Sequence, residues 1–218
     1  MATPYFQLRH DEVPSTQDLA REKLVRLPVL VVASSQTAGR GRSGSDWWTA
    51  DRAVAVSLAF RHGPGEDRPI SLIAGLAAVR ALPGLALKWP NDVMRDEAKV
   101  GGILVERSGD ITVVGLGLNL WWDTPPPDAA ALFTADPGPE STWQIGALWG
   151  AELTELIATE GWDRDAYSAA CTTLGRRITW EPAGAGLAIE VNLAGELVVE
   201  TDAGIETLRS GAVRHIRG

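Results

Sequence analysis

The chain has 218 residues, of which 45% are hydrophobic, and this is enough for one well-packed domain and a second, smaller one. Its net charge of −8 argues against broad contact with nucleic-acid phosphates, so any anion-binding site must be locally basic. The single cysteine excludes an intrachain disulfide, and no apolar run is long enough to span a membrane, so we expect a cytoplasmic protein.

The first half of the chain predicts strands and helices in alternation. Ser15 and Asp18 resemble a helix-capping box in front of an amphipathic stretch. Further on, Ser108-Gly109-Asp110 is a good hairpin turn between two apolar runs. In chain order, the predicted elements are a helix at Leu19–Leu27, strands at 29–34 and 53–60, a helix at Ile70–Leu82, and strands at Leu85–Trp89, Val100–Arg107 and Ile111–Leu120.

The second half predicts helices first and short strands afterwards. A proline-rich segment, Thr124–Pro139, is predicted as a loop or linker. A helix follows at Trp143–Thr159, and a shorter helix at Asp165–Leu174. The residues predicted on the apolar face of the first are Leu148, Leu153, Leu156 and Ile157. The predicted strands after Gly175, which suit a small β-barrel, are Arg176–Glu181, Leu187–Asn192, Leu197–Thr201 and Val213–Arg217.

The segment at 36–44, Gln-Thr-Ala-Gly-Arg-Gly-Arg-Ser-Gly, carries the strongest local signal. Glycine lets the backbone approach a ligand closely, and arginine offers a permanent charge and a planar donor fork for carboxylate or phosphate. The loop therefore predicts an anion cradle. It lacks the Gly-Lys-Ser/Thr of a Walker loop, and no helical pattern follows it as in the dinucleotide-binding motif. For this segment alone, an ordinary flexible turn stays open as the alternative.

Three further segments contain polar residues or glycines within or at the ends of predicted strands. Lys88-Trp89-Pro90-Asn91-Asp92 places a lysine, an amide and a carboxylate at a strand end, where ligand groups are usually displayed; the alternative is a turn with Asx capping. Lys99 precedes paired glycines at 101–102, which indicate a backbone or ligand passing close by; the alternative is a β-bulge with a solvated lysine. The third segment, 115–120, is an apolar strand with small residues on one face and an asparagine near its end.

Taken together, the segments resemble the catalytic domain of biotin protein ligases in order, residue type and spacing. That family has a Ser-Thr-Asn-like start, then G-R-G-R-x-G, K-W-P-N-D, K-x-G-G-I-L-x-E and G-I-G-I-N. The counterparts in this chain are 15–17, 39–44, 88–92, 99–106 and 115–119. The resemblance covers nearly the whole chain. It implies an α+β fold with a mixed β-sheet catalytic domain of the biotin/lipoate ligase type and flanking helices over residues 1–174, followed by an SH3-like β-barrel over 175–218.

The resemblance also implies a reaction and its participants. Such a protein activates biotin with ATP, giving biotinoyl-5'-AMP, and transfers biotin to a specific lysine of the biotin carboxyl carrier domain of a biotin-dependent carboxylase. The implied catalytic residues are Lys99, Arg40 and Arg42, and Asp92 is implied to hold Mg²⁺. The residues implied to bind biotin are Ser15, Thr16, Gln17, Gln36, Gly39, Arg40, Gly41, Arg42, Trp47, Lys99, Gly101 and Gly102. Those implied to bind ATP are Arg40, Arg42, Lys88, Asn91 and Asn119.

The chain departs from the family pattern at two places. Gln17 stands where the family usually has asparagine, and Ser45-Asp46-Trp47 replaces a continuation that normally contains another arginine. Because few residues precede Ser15, we expect a monofunctional ligase without the N-terminal DNA-binding domain, and no DNA binding. Rival functions are a lipoate or octanoate ligase of similar fold and an arginine-glycine nucleic-acid binder, although the acidic composition argues against the latter. Both a monomer and a homodimer are compatible with the sequence.

Overall fold

The computed structural model describes residues 4–42, 49–63, 65–126, 129–211 and 213–216. The helices are α1 (Thr16–Lys23), α2 (Ile70–Ala81), α3 (Glu140–Ala158) and α4 (Arg164–Ala170). The strands up to residue 121 are β1 (Phe6–Val13), β2 (Val29–Gln36), β3 (Arg52–Arg61), β4 (Ala86–Lys88), β5 (Asp92–Arg95), β6 (Ala98–Ser108) and β7 (Ile111–Trp121). The later strands are β8 (Arg177–Trp180), β9 (Gly184–Val191), β10 (Leu197–Thr201), β11 (Gly204–Leu208) and β12 (Val213–His215).

The strands form two sheets. The larger sheet has seven strands in the order β1-β2-β3-β7-β6-β5-β4, with β1 parallel to β2 and every other neighbour antiparallel. This confirms the α+β class with a mixed sheet. The smaller sheet is antiparallel, in the order β11-β10-β9-β8-β12. Among its described strands, no pairing joins β11 to β12, so the expected closed barrel is not confirmed.

Both faces of the large sheet are covered, and β2 shows how the sequence achieves this. Side chains of a strand point alternately to opposite faces. Leu30 and Val32 join the main hydrophobic core, which also contains apolar residues of α2 and α3. Val29 and Val31 belong to a second cluster with Ala20 and Leu24 of the α1 region. The continuous apolar run of β2 therefore indicates a strand buried on both faces.

Helix α3 approaches the sheet closely because glycines face it. A Cβ atom at Gly146 would lie 2.6 Å from Val32 Cγ1, and one at Gly150 would lie 2.5 Å from Leu30 Cδ2. The buried side of the helix includes Trp149, which is fully buried and donates from Nε1 to Ala74 O of α2 at 3.0 Å. The predicted apolar face was wrong in one position, since Leu148 is 51% exposed and the stripe instead runs through the glycines and Trp149.

The C-terminal sheet shares its core with the rest of the chain. Its buried side chains belong to the main hydrophobic cluster, and they are Ile178, Ala188, Val191, Leu197, Val199 and Val213. Trp89 is 1% exposed and donates from Nε1 to Gly195 O at 3.0 Å, which fastens the end of β4 to the β9–β10 turn. Residues on the two sides of the boundary predicted between 174 and 175 therefore pack against one another in one hydrophobic core.

Most of the predicted elements are present, but three strands were missed. They are β1, β5 and β11, and each lacks a long apolar run: β1 and β11 have mostly exposed or half-buried side chains, and β5 has four residues. Ser15 is the N-cap of α1, as the predicted capping box requires, and its hydroxyl accepts from Asp18 N. The helix ends at Lys23, before the predicted Leu27. No helix in the described ranges is long and apolar enough to cross a lipid bilayer.

Candidate active site

A cavity of about 710 Å³ lies over the large sheet, and segments distant in sequence meet around it. The sequence-predicted residues that line it are Ser15, Thr16, Gln17, Gln36, Arg40, Gly41, Arg42, Lys88, Asn91, Asp92, Lys99, Gly101, Gly102 and Asn119. Gly39 is not among the lining residues, and Trp47 lies outside the described residues, as do Ser45 and Asp46. The structure therefore brings together nearly all of the residues that the motifs singled out.

One end of the cavity is a hydrogen-bonded polar pocket, formed by Thr16, Gln17, Gln36 and Ser57. Gln36 Oε1 accepts from Thr16 N at 2.7 Å and from Thr16 Oγ1 at 3.0 Å. Thr16 Oγ1 also lies 2.8 Å from Ser57 Oγ. These bonds fix the carboxamide of Gln36 and two hydroxyls in place, so the pocket presents neutral donors and acceptors in a set orientation.

Gln17 contributes an unpaired acceptor to this pocket. Its side chain is 5% exposed, and Nε2 donates to Leu104 O of β6 at 3.2 Å. Its Oε1 is buried and has no hydrogen-bond partner among the described residues. A Cβ at Gly115 would lie 3.3 Å from Gln17 Cδ, so glycine leaves the space that the longer glutamine needs. A buried acceptor without a partner is costly, and a ligand N–H would satisfy it.

Arg40 belongs to the segment at 36–44, which we call the glycine-arginine loop, and is held by carboxylates from two other elements. Its Nη1 and Nη2 donate to the two carboxylate oxygens of Asp18 at 2.9 and 2.8 Å, and Nη2 lies 3.5 Å from Glu106 Oε1. Glu106 Oε2 also accepts from Arg21 at 2.7 Å. The hydrogen bond from Arg40 lowers the pKa of the Asp18 carboxyl below its ordinary value, and Asp18 in turn raises the pKa of Arg40. The network ties the loop to α1 and β6.

Arg42 is oriented by the turn that follows β4. Its Nη1 donates to Asn91 Oδ1 at 2.8 Å. Asn91 Nδ2 donates to Ile103 O at 3.0 Å, and Ile103 N donates to Asn91 O at 2.9 Å, so the asparagine is anchored on β6. The two motifs that contain Arg42 and Asn91 are thus connected directly. Asn91 both lines the cavity and orients the side chain of Arg42.

Lys99 lies beside the cavity and forms an ion pair across the β5–β6 pairing. Its Nζ lies 2.6 Å from Asp92 Oδ1, and the two side chains are 50% and 21% exposed. The register places Met94 opposite Lys99 and Asp92 opposite Gly102, with a bulge between Val93 and Met94. Asp92 is two residues from Met94, so its side chain lies on the same face of the sheet as that of Lys99.

The paired glycines allow the close approach that the sequence predicted. A Cβ at Gly101 would lie 2.5 Å from both Gly117 O and Leu118 Cδ2 of β7, so the strand backbones meet where no side chain fits. Asn119 is at the far end of β7, and its Oδ1 accepts from Ala50 N at 3.2 Å. It therefore holds the chain just after the glycine-arginine loop segment against the sheet.

Two polar or charged side chains that line the cavity, Ser57 and Arg214, were not predicted from the sequence. Ser57 is a polar residue inside the apolar run of β3, and that interruption is a signal that could have found it. Arg214 of β12 also lines the cavity, together with Gly211 and Val213. Nothing local marks it, because its place depends on how the C-terminal sheet packs against β4.

Comparison with known proteins places the mixed sheet and its cation-lined cavity in the class of ligases that act on biotin or lipoate. A model of the biotin/lipoate A/B protein ligase family matches residues 11–120, and the chain belongs to this family. It is 31% identical to the biotin–[acetyl-CoA-carboxylase] ligase of Mycobacterium tuberculosis over 217 residues, covering 87% of this chain and 79% of that protein. Its identity to the Paracoccus denitrificans enzyme of the same name is 39%, over 47% of each chain.

A solved structure extends the likeness to the whole fold. The biotin protein ligase of Aquifex aeolicus in complex with biotin and ATP superposes with a TM-score of 0.80. The identity is 26%, and the match covers 98% of this chain and 99% of that one. The likeness therefore includes the C-terminal sheet as well as the part of the chain that the family model matches.

Proposed function

We propose that this protein is a biotin protein ligase, which activates biotin with ATP and transfers it to a lysine of a biotin carboxyl carrier domain. The observation that carries the proposal is one cavity that joins a neutral polar pocket to a cluster of cations around Lys99. The names of the relatives support it, because they include biotin–[acetyl-CoA-carboxylase] ligases and a biotin protein ligase bound to biotin and ATP.

The polar pocket suits the ureido ring of biotin. That ring presents two N–H donors and one carbonyl acceptor but no charge, so it needs neutral partners in fixed positions. Gln17 Oε1 is a buried acceptor without a partner among the described residues, and it can accept a ureido N–H. Thr16, Gln36 and Ser57 supply the remaining polar groups. The apolar arm of biotin then lies along the glycines of β6 and β7.

The cations serve the first chemical step. An oxygen of the biotin carboxylate forms a bond to the α-phosphorus of ATP, the bond from that phosphorus to the bridging oxygen breaks, and pyrophosphate leaves with the electron pair. Both reactants are anions, so the site must offset their charge and hold them in line. We assign Lys99 to the carboxylate and the α-phosphate, while Arg42 and Lys88 contact phosphate oxygens. Asn91 holds Arg42 in place for this contact.

The same cavity serves the second step. The neutral amine of the carrier lysine attacks the carbonyl carbon of biotinoyl-5'-AMP, the carbon–oxygen bond to the phosphate breaks, and AMP leaves with the electron pair. The attacking nitrogen loses one proton to solvent as the amide forms. Lys99 offsets the charge that develops on the carbonyl and phosphate oxygens. The glycine-arginine loop, anchored through Arg40 to Asp18, covers the adenylate and keeps water from it.

Asp92 fits a magnesium ion that ATP brings with it. Asp92 is the one carboxylate among the described residues that line the cavity, and no cluster of three acidic, histidine or cysteine side chains occurs in the described ranges. Mg²⁺ is commonly bound by one or two carboxylates together with substrate phosphates, so a single aspartate suffices. When bound, the ion would neutralise phosphate charge. Asn119 completes our assignment of the ATP-binding residues, with Arg40, Arg42, Lys88 and Asn91.

The remaining expectations from the sequence stay proposals. We infer a catalytic domain at 1–174 and a C-terminal domain at 175–218 of SH3-like type, and the separate five-stranded sheet supports this division. Cytoplasmic localisation, the absence of DNA binding and the choice between monomer and homodimer stay predictions. Gly39 and Trp47 remain proposed contributors to the biotin pocket on the family resemblance alone.

The decisive experiment is exchange of radiolabelled pyrophosphate into ATP by the purified protein, with biotin, lipoate or octanoate as the acid. We expect exchange with biotin only. Exchange with lipoate or octanoate, and none with biotin, would make the protein a lipoate or octanoate ligase of the same family. Transfer of biotin to a purified carrier domain, detected by mass spectrometry, then tests the second step.

A further inference from the structure

Two cations at one end of the cavity come from different sheets. Lys88 ends β4 of the large sheet, and Arg214 lies in β12 of the C-terminal sheet. Both line the cavity. Neither side chain forms an ion pair or hydrogen bond with another residue in the described ranges, whereas Lys99 and Arg40 are each paired with carboxylates. Lys88 and Arg214 therefore present their charge to whatever occupies the cavity.

A short chain of hydrogen bonds holds the strands of these two cations together. Trp89 N donates to Thr173 Oγ1 at 3.0 Å, and the same oxygen lies 3.3 Å from His215 Nε2. Thr173 is fully buried and Trp89 nearly so. Because Trp89 follows Lys88 and His215 follows Arg214, the bridge through Thr173 fixes the relative position of the two cations.

The two cations lie at the opposite end of the cavity from the polar pocket. Gln17 reaches β6 and β7 in the middle of the sheet, and Thr16 contacts β3, whereas β4 is the last strand at the far edge. The bridge through Thr173 places Lys88 close to β12. Burial lowers the pKa of His215, and the positive charges of Lys88 and Arg176 lower it further. If the ring of a ligand fills the polar pocket, the charged end of that ligand points toward the β4 edge of the large sheet.

We propose that Arg214 is a phosphate-binding residue that, together with Lys88, receives the β- and γ-phosphates of ATP and then the departing pyrophosphate. This inference rests on the proposed function and adds a cation supplied by the C-terminal sheet. When the bond between the α-phosphorus and the bridging oxygen breaks, the leaving group takes the electron pair, and the two cations offset that charge. The planar guanidinium can bind a phosphate through two parallel hydrogen bonds, which lysine cannot do.

The test compares Arg214→Ala and Arg214→Lys with wild type in biotin-dependent pyrophosphate exchange. Arg177→Ala is the matched control, because it removes one arginine of the same sheet that does not line the cavity. We expect Arg214→Ala to raise the KM for ATP roughly ten-fold or more, since a lost charge-assisted hydrogen bond has about that effect, and to leave the KM for biotin nearly unchanged. Arg214→Lys should recover part of the loss, and Arg177→Ala should behave as wild type.

A second measurement separates a lost phosphate contact from damage to the fold. Transfer of biotin from synthetic biotinoyl-5'-AMP to a carrier domain involves no β- or γ-phosphate, so Arg214→Ala should perform this step at the wild-type rate. An unchanged KM for ATP, or an equal loss in both half-reactions, would overturn the role of Arg214. A wild-type protein that shows no biotin-dependent exchange would instead overturn the proposed function, and the inference with it.

Discussion

Lys99 Nζ lies 2.6 Å from Asp92 Oδ1, so the central cation of the site is already paired with a carboxylate of the neighbouring strand. If Lys99 has the role that we propose, the carboxylate of biotin and the α-phosphate of ATP must compete with Asp92 for this ammonium group. A magnesium ion held by Asp92 would weaken the attraction between this carboxylate and Lys99, because the ion would offset the negative charge that the lysine now faces. The pair would thus link the proposed magnesium site and the proposed catalytic lysine through one side chain.

Replacement of Lys99 by alanine should nearly abolish adenylate formation and leave the fold intact. Lys99 is half-exposed, so its removal leaves no cavity, but it takes away a preorganised charge, which typically costs about 10²–10³ in rate. Pyrophosphate exchange measures the loss. Lys23→Ala is the control, because Lys23 is an exposed lysine paired with Glu22 on α1. Exchange within a few-fold of wild type in Lys99→Ala would refute the assignment.

Asp92→Asn should raise the magnesium concentration that gives half-maximal pyrophosphate exchange. The amide keeps the shape of the side chain but loses the charge that attracts a hard cation. Binding of biotin alone, followed by calorimetry, should not weaken, because the variant removes the carboxylate that competes for Lys99. If the magnesium dependence of the variant matches that of wild type, Asp92 does not hold the ion.

Local features of the site could be predicted from the sequence, and long-range ones could not. The closeness of β6 and β7 at Gly101 followed from glycines inside a strand, which have few other uses. The partners of Arg40 could not be predicted in this way. Asp18 and Glu106 lie 22 and 66 residues away in sequence, and their pairing with Arg40 depends on how three elements meet. Arg214 reaches the cavity only through the packing of a second sheet.

The same limit applies to the fold. Long apolar runs such as β3 and β7 were predicted because burial on both faces needs them. Strand β1 was missed, since it lies at the sheet edge and five of its eight residues, Gln7, Arg9, His10, Asp11 and Glu12, are polar or charged. An edge strand with solvated side chains carries little periodic signal, and its pairing with β2 is fixed by backbone hydrogen bonds.

Asp18→Asn should make the glycine-arginine loop more sensitive to trypsin. The variant keeps one acceptor for Arg40 but loses the charge of a bidentate pair, so the loop detaches from α1 more often. We expect faster cleavage after Arg40 or Arg42 than in wild type. Biotin with ATP should slow cleavage in both proteins. Equal digestion rates with and without these ligands would contradict a loop that covers the adenylate.

His215 should make stability depend on pH in a defined direction. Burial first, and then the charges of Lys88 and Arg176, lower its pKa below the ordinary value of 6.5, so the unfolded chain binds the proton more readily than the folded protein. Stability from this group is complete above pH 6.5 and is lost as the pH falls toward the lower folded pKa. Thermal unfolding of wild type and His215→Gln between pH 8 and 5 measures it, and the variant should lose less stability on acidification. If stability depends on pH identically in wild type and in His215→Gln, then His215 is not the source of this dependence.

Two tryptophans that donate to carbonyls of the β9–β10 turn provide a matched test of how the C-terminal sheet is held. Trp89 Nε1 donates to Gly195 O at 3.0 Å in a buried position, and Trp162 Nε1 donates to Leu193 O at 2.8 Å in an exposed one. Trp89→Phe leaves Gly195 O buried without its donor and should lower the free energy of unfolding by about 1–3 kcal/mol. Water can replace the lost donor at Leu193 O, so Trp162→Phe should cost less than about 1 kcal/mol through that bond.

Urea denaturation, followed by circular dichroism, gives both free energies of unfolding. Because side chains of the C-terminal sheet such as Ile178 and Leu197 belong to the main hydrophobic core, Trp89→Phe should unfold in a single transition at lower urea concentration. A separate early transition that exposes only the C-terminal strands would show that this sheet is a weakly attached domain. Equal losses in the two variants would show that burial of the Trp89 bond adds nothing to stability.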